Sequence, residues 1–132
     1  MKYGVINENH LFVKCYNKGK KIITKRVVLF VLEDKHARFL QKSHPDKKKI
    51  NRVGISVTKK LGNAVVRNRA KRIIREAWRN ITKTYRLTQG KLIVITAREA
   101  TAEAKTDDIY KDLAYAAHRL GIILEKQNEK SD

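Results

Sequence analysis

The fold is decided by residues 53–82, which read VGISVTKKLGNAVVRNRAKRIIREAWRNIT. From Val53 to Thr58, apolar residues alternate with smaller or more polar ones, and this period of two predicts a half-buried strand. A tight basic connection at 59–63 follows, and it ends on Asn63, a residue type that is favoured as a helix N-cap. The stretch therefore predicts a strand, a short basic turn and a helix that runs to about Thr82.

The predicted helix has two faces of opposite character. With residues ~100° apart around the axis, one arc is apolar and is predicted to pack on a sheet: Val66, Ala70, Ile73, Ile74, Ala77 and Ile81, with Trp78 at its edge. The opposite side is cationic and carries Asn68, Lys71, Arg72, Arg75 and Arg79, with Arg67 and Arg69 flanking it. Like charges four residues apart destabilise a free helix. Such a face indicates phosphate binding, because arginine contacts phosphate through two hydrogen bonds and also stacks on bases.

Upstream of this stretch the pattern predicts a helix, a strand and a loop. The helix spans about 7–17, and a β-branched run at 22–32 is predicted to be one strand. Residues 34–51 are rich in Lys and Arg and contain the single proline, so they are predicted to form a basic loop whose role is unassigned.

Downstream, a third strand is predicted at 92–97 and a last helix after the start signal Asp107-Asp108. The polar residues 125–132 are predicted to fray. The order α-β-β-α-β-α describes an α+β fold, with a small central sheet and packed helices, in a single domain over residues 1–132.

The charge of the chain points to a polyanionic partner. Of 132 residues, 31 are Lys or Arg and 13 are Asp or Glu, which leaves a formal net charge of +18. Charge alone would allow nucleic acid, an anionic membrane or an acidic protein. There is no run near the ~20 apolar residues of a membrane span and no secretory signal. Cys15, the single cysteine, agrees with a reducing compartment and is predicted to be a small buried hydrophobe. We therefore expect a cytoplasmic protein that neither spans nor binds a membrane.

The segment Lys59–Glu76, KKLGNAVVRNRAKRIIRE, resembles the signature segment of the bacterial ribonuclease P protein. Its core is the triplet 67–69, Arg-Asn-Arg, and the Gly-Asn, Lys-Arg and Arg-Glu pairs around it make the string specific. Phe12 and Tyr16 resemble the aromatic pair of the family's first helix, and Phe30 resembles an aromatic residue of its first strand. The resemblance covers nearly the whole chain.

The resemblance implies a fold, a partner and a division of labour. The fold would be ribosomal-S5-domain-2-like with a left-handed βαβ crossover. The partners would be the ribonuclease P RNA and precursor tRNA, with no obligate protein partner. Mg²⁺ bound mainly by the RNA would support endonucleolytic removal of the 5′ leader of the tRNA. The RNA-binding residues would be Lys59, Lys60, Asn63, Arg67, Asn68, Arg69, Lys71, Arg72, Arg75 and Arg79.

Phe12, Tyr16 and Phe30 are the candidate leader-binding residues. Phe12 and Tyr16 are four residues apart and share a helix face, and Phe30 lies on the strand that this helix would cover. Taken alone, such a pair is more often core, because aromatic side chains bury large areas. The resemblance instead implies a groove that holds the single-stranded leader by base stacking, worth ~1–3 kcal/mol per base.

No catalytic or metal site is predicted on the protein itself. His10 and Cys15 would not share a helix face, and Asp107 and Asp108 are typical of a helix start rather than of a metal site. This absence agrees with what the resemblance implies, namely that the protein would act as part of a ribonuclease P holoenzyme in which the RNA subunit carries out catalysis and the protein supplies no catalytic residue.

Two other interpretations use the same charge. A non-catalytic ribosomal or ribosome-assembly protein would share the size and possibly the fold, and the string from Gly62 to Glu76 is what separates the two. A DNA-binding module is less well supported, because Arg and Lys far outnumber the Asn and Gln that read bases.

Overall fold

The computed structural model describes residues 3–43 and 50–127. Within them the strands are β1 (Gly4–Val5), β2 (Lys20–Ile23), β3 (Val27–Glu33), β4 (Arg52–Ser56), β5 (Tyr85–Leu87), β6 (Lys91–Ala97) and β7 (Ile123–Lys126). The α-helices are α1 (Asn9–Lys18), α2 (Lys35–Ser43), α3 (Ala64–Thr84) and α4 (Thr106–Arg119). Short 3₁₀ turns lie at Lys59–Leu61 and Glu99–Glu103.

In the described part of the chain, five strands form the central sheet in the order β1-β4-β6-β3-β2. β4 runs parallel to β1 and to β6, whereas β3 runs antiparallel to β6 and to β2. Because α3 lies between the parallel neighbours β4 and β6 in the chain, their connection is a βαβ crossover. The predicted α+β class is confirmed, and the left hand of the crossover stays a prediction.

β3 and β6 are apolar on both faces, so helices cover both sides of the sheet. One face packs on α3 and α4, and its buried strand residues include Val27, Leu29, Ile93 and Ile95. The other face packs on α1, through a second core cluster that contains Phe30, Leu92 and Val94. The molecule therefore has three layers, with the sheet between α1 and the α3–α4 pair.

The central strand–turn–helix unit is confirmed. The Asn63 side chain caps α3 and accepts a hydrogen bond from the Val66 amide at 3.0 Å. Trp78, predicted at the edge of the apolar arc, is fully buried at 1% exposure. Asp108 accepts a hydrogen bond from the Lys105 amide at 3.0 Å, which confirms it as a helix-start residue.

The segment 22–32 was wrongly predicted as one strand, because it forms a hairpin of β2 and β3 around residues 24–26. This turn contains neither glycine nor proline, so no local signal marks it. The Asp112 carboxylate on α4 holds the turn and accepts hydrogen bonds at 3.1 Å from the Thr24 hydroxyl and from the Arg26 amide. The stabilising contact lies 86 residues along the chain from the turn, beyond the reach of a local pattern.

The prediction of a loop over 34–51 was wrong for its first part, because α2 forms there. Asp34 begins the helix, since its carboxylate accepts hydrogen bonds from the amides of His36 at 3.1 Å and Ala37 at 3.4 Å. The same carboxylate accepts hydrogen bonds from the Arg52 guanidinium at 2.7 and 3.0 Å. An acid at the edge of a basic run is a weak sequence signal, although here it both caps a helix and anchors β4. Residues 44–49 of the predicted loop lie outside the described residues.

The prediction that the tail frays from residue 125 was wrong for residues 125–127, which are ordered by pairing and hydrogen bonds. β7 pairs antiparallel with β5 in a separate small sheet. The Gln127 side chain donates hydrogen bonds to the carbonyls of Thr82 and Tyr85 at 2.9 and 3.0 Å. Polar residues join this sheet because backbone hydrogen bonds, rather than apolar burial, hold them. Residues 128–132 lie outside the described residues.

The pair of Asp34 and Arg52 makes a prediction about acid stability. Burial alone would raise the pKa of Asp34, but the hydrogen bond and charge of Arg52, with the amides of Ala37 and His36, hold that pKa below its usual value. A carboxyl with a lowered folded-state pKa stabilises the fold above its unfolded pKa, and this stability is lost as the pH falls through the folded value.

We expect Asp34→Asn to lower the free energy of unfolding by about 2 kcal/mol at pH 7, which is less than for a fully buried pair because Arg52 keeps some contact with solvent. The difference from the wild-type protein should shrink as the pH falls below the usual pKa of an aspartate and through the lowered pKa of Asp34. Urea denaturation at a series of pH values measures it. A difference that is the same at every pH would contradict the role given to the Asp34 charge.

Candidate nucleic-acid interface

The exposed side of α3 carries the cationic stripe, defined as Asn68, Lys71, Arg72, Arg75 and Arg79, and all five are exposed. Lys59, Lys60 and Asn63 at the start of the helix are also exposed, whereas Arg67 is half-buried. Among the described residues, no carboxylate lies within 4.0 Å of any cation in this set. The stripe is therefore free to pair with an external anion.

Arg69 was predicted as an RNA contact, but its side chain binds the protein itself. Its Nη1 and Nη2 atoms donate hydrogen bonds to the carbonyls of Ala102 at 3.1 Å and Ala104 at 2.7 Å. The guanidinium therefore ties α3 to the segment after β6. The sequence could not show this, because the acceptors are backbone atoms 33 and 35 residues away.

The predicted leader-binding residues Phe12, Tyr16 and Phe30, here called the aromatic cluster, lie together between α1 and the sheet. The rings of Tyr16 and Phe30 meet edge to face, with 5.0 Å between their centroids and 68° between their planes. Their exposure differs, because Tyr16 is 38% exposed, Phe12 is half-buried and Phe30 is 8% exposed. Tyr16 and Phe12 thus offer ring surface, whereas Phe30 supports Tyr16 from the core.

Gly54 of β4 is a residue of the site that the sequence pattern predicted only as part of a strand. The ring of Phe12 lies directly on it, and a Cβ at Gly54 would be 2.6 Å from Phe12 Cζ. Gly54 also lines a pocket of 230 Å³ between β4 and α3, to which Lys71 and Arg75 contribute. The aromatic cluster and the cationic stripe therefore meet at the edge of the sheet formed by β1 and β4.

Cys15 lies on the buried side of α1 with no exposed surface, in the same core cluster as Phe30. Burial raises the pKa of its thiol to about 11, so the thiol stays protonated at neutral pH. The prediction of a small buried hydrophobe is confirmed, and a protonated, inaccessible thiol is a poor nucleophile.

Over the described ranges, no three His, Cys, Asp or Glu side chains are grouped so that they could hold a metal ion. No helix of these ranges is long and apolar enough to cross a membrane. The described surface instead offers cations that have no carboxylate partner, together with the accessible rings of Tyr16 and Phe12. This combination is typical of proteins that bind single-stranded nucleic acid.

A family model described as Ribonuclease P matches residues 2–121. The chain belongs to this family. The ribonuclease P protein component of Clostridium acetobutylicum is 34% identical to it over 124 residues, which are 94% of each chain. The solved RNase P protein of Staphylococcus aureus aligns with a TM-score of 0.71 at 28% identity, over 93% of this chain and 100% of that one.

A second S. aureus structure is described as an RNase P protein mutant with defective mRNA degradation activity. It aligns with a TM-score of 0.69 at 29% identity, over 91% of this chain and 89% of that one. Membership of the Ribonuclease P family places the chain in tRNA processing. It supports the main interpretation of the sequence and not the ribosomal alternative.

Arg69 and Arg72 make a matched pair of variants on one helix. We expect Arg69→Ala to lower the free energy of unfolding by about 2 kcal/mol, because the carbonyls of Ala102 and Ala104 lose a charged donor. Arg72→Ala should change it by less than about 0.5 kcal/mol, because Arg72 is exposed and its side chain makes no hydrogen bond or ion pair with a described residue. Urea denaturation compares the two, and equal losses would show that Arg69 is not a structural residue.

The contact between Gly54 and Phe12 predicts a coupling between these two residues. An alanine at Gly54 would collide with the Phe12 ring, so Gly54→Ala should lower the free energy of unfolding by ~1–3 kcal/mol. In a Phe12→Ala background the same change should cost much less, because the ring is gone. A double-mutant cycle measures the coupling. Additive losses would mean that the two residues do not press on each other.

Proposed function

We propose that this chain acts as the protein component of a bacterial ribonuclease P, binding the catalytic RNA at the cationic stripe and the 5′ leader of precursor tRNA at the aromatic cluster. One observation carries the proposal. In a chain of the Ribonuclease P family, the half-buried ring of Phe12 lies on Gly54, and Gly54 also lines the pocket to which Lys71 and Arg75 of the cationic stripe contribute.

The cationic stripe suits the phosphates of a folded RNA. Its side chains are exposed on one rigid helix, and they are mostly arginines, which bind phosphate oxygens in pairs. The stripe contains few groups that read base edges, so it would follow the RNA backbone and shape rather than its sequence.

The aromatic cluster suits a single strand of varied sequence. Stacking on Tyr16 and Phe12 needs only the flat face of a base, which all four bases have. From the Phe12 ring such a strand would continue past Gly54 toward the pocket that Lys71 and Arg75 help to line, where its phosphates would be neutralised. The leader of precursor tRNA is such a strand.

We assign the chemical step to the RNA subunit. The Cys15 thiol is buried, and several acids already serve the fold: Asp34 pairs with Arg52, Asp112 pairs with Arg26, and Asp108 caps α4. Mg²⁺ held mainly by the RNA would activate the attacking water. The protein's cations would reduce phosphate repulsion near the cleavage site, so that less Mg²⁺ is needed. A cytoplasmic location stays a prediction.

Reconstitution tests the assignment. Mixed with a bacterial ribonuclease P RNA, the protein should stimulate cleavage of precursor tRNA most strongly at low Mg²⁺, because fixed charge replaces diffuse counterions. Arg72→Ala and Arg75→Ala should each weaken RNA binding and reduce its salt dependence, whereas Lys83→Ala, in the last turn of the same helix, should not.

Protein without the RNA subunit should leave precursor tRNA intact, and efficient cleavage by it would overturn the assignment of catalysis to the RNA. An mRNA substrate belongs in the same assay, since a mutant of the S. aureus RNase P protein is described as defective in mRNA degradation activity. If the protein without the RNA subunit cleaved mRNA but left precursor tRNA intact, it would have a second activity that does not need the RNA subunit.

The leader assignment predicts a difference between two ligands. Phe12→Leu and Tyr16→Leu should weaken binding of precursor tRNA by ~1–3 kcal/mol per lost stack, while mature tRNA, which lacks the leader, binds as before. Phe30→Val should instead destabilise the fold and affect both ligands alike, because Phe30 is buried. Fluorescence titrations give the affinities, and thermal melting reports the folded fraction. An unchanged ratio of affinities in folded Tyr16→Leu and Phe12→Leu proteins would remove the leader from this site.

A further inference from the structure

A pocket of 360 Å³ lies at the carboxyl ends of the parallel strands β4 and β6, away from the aromatic cluster. Three separate segments each contribute one cation to it. Lys25 comes from the turn between β2 and β3, Lys60 from the 3₁₀ turn after β4, and Arg98 from the residues after β6. Thr58 and Glu99 complete its polar lining.

These three cations lack acidic partners. Among the described residues no carboxylate lies within 4.0 Å of Lys25, Lys60 or Arg98. The neighbouring Arg26, by contrast, pairs with Asp112 at 3.0 Å. With Glu99 as the acid in the lining, the pocket keeps a net positive charge.

The walls of the pocket are held in place from several sides. Asp112 fixes the β2–β3 turn to α4, and the Arg98 amide donates a hydrogen bond to the Arg26 carbonyl at 2.9 Å. The Arg98 guanidinium also donates to the Thr24 carbonyl. Charges fixed in advance lose less freedom when an anion binds.

The hydrogen bonds of Arg69 explain how this pocket relates to the cationic stripe. Arg69 leaves α3 and holds the carbonyls of Ala102 and Ala104, just beyond the pocket residues Arg98 and Glu99. The pocket and the stripe are therefore parts of one rigid surface, and a single partner can touch both.

We propose that this pocket binds a phosphodiester of the ribonuclease P RNA, as a contact separate from the cationic stripe and the aromatic cluster; the proposal rests on the proposed function. The Arg98 Nη1 atom is engaged by the Thr24 carbonyl, but its Nε and Nη2 atoms can donate to two phosphate oxygens, and Lys25 and Lys60 supply point charges. Glu99 would repel a second phosphate, but its carboxylate can accept a hydrogen bond from a ribose 2′-hydroxyl, a group that DNA lacks.

Lys25 is the residue for the decisive variant, because its side chain is exposed and makes no hydrogen bond or ion pair with a described residue, so we expect its loss to leave the fold unchanged. Lys25→Ala should weaken binding of the ribonuclease P RNA by about 5-fold at moderate salt and should lower the slope of log K against log salt by about 0.7–0.9. Lys126→Ala, which removes an exposed lysine of β7 that does not line the pocket, is the matched control. Arg98→Lys keeps the charge but loses the fork, so it should weaken binding less than Arg98→Ala.

The sign of the charge gives a second measurement. Glu99→Gln should tighten binding of inorganic phosphate at the pocket, as followed by the amide NMR shifts of residues 58–61 and 97–100. In the complex with RNA, acylation of Lys25 and Lys60 should be slowed, whereas acylation of Lys126 should not.

The outcomes separate this proposal from the function on which it rests. If the wild-type protein does not bind the RNA, the proposed function fails and the pocket proposal fails with it. If the wild-type protein binds and Arg72→Ala weakens binding, while Lys25→Ala behaves like Lys126→Ala, the pocket proposal alone is overturned. Phosphate binding without protection of Lys25 by RNA would likewise overturn it, because the pocket would then be a site for small anions.

Discussion

The architecture depends on a sheet that is apolar on both faces. β3 and β6 send buried side chains to either side, so the sheet is stable in water only when both faces are covered. α1 covers one face, and α3 with α4 covers the other. This division places aromatic rings and cations on opposite sides of the sheet, and they meet where β1 is only two residues long and β4 carries Gly54.

The same burial holds α3 in place against its own charges. Burying a side chain such as Ile73, Ile74 or Trp78 contributes ~1.5–3 kcal/mol, whereas a like-charge pair four residues apart costs only a few tenths of a kcal/mol. The apolar arc therefore outweighs the repulsion within the cationic stripe. The helix can keep its cations unpaired in the free protein, and in the proposed complex the phosphates of the RNA would relieve their repulsion.

Acidic residues divide the cations into two groups. Asp34 and Asp112 engage Arg52 and Arg26, and these pairs fix the start of α2 and the β2–β3 turn. In the part of the chain that the structure describes, most other cations have no carboxylate partner and are available to an external one. A total charge of +18 does not show this division, because the division depends on which side chains the fold brings within hydrogen-bonding distance of each other.

The sequence by itself determined the β4–turn–α3 unit, its N-cap at Asn63, the separation of α3 into apolar and cationic faces, and the likeness to a family. These features depend on neighbours within about one to two helical turns, so periodicity records them. Tertiary structure alone decided the β2–β3 hairpin, the start of α2 and the pairing of β7 with β5. It also decided that Arg69 donates hydrogen bonds to backbone carbonyls of the protein and that the Phe12 ring lies on Gly54. Each of these depends on groups that the fold brings together from distant parts of the chain, such as Asp112 with Thr24, 88 residues apart, or on backbone atoms that every residue carries alike. A local pattern records neither kind of contact, because its information lies in the side chains of near neighbours.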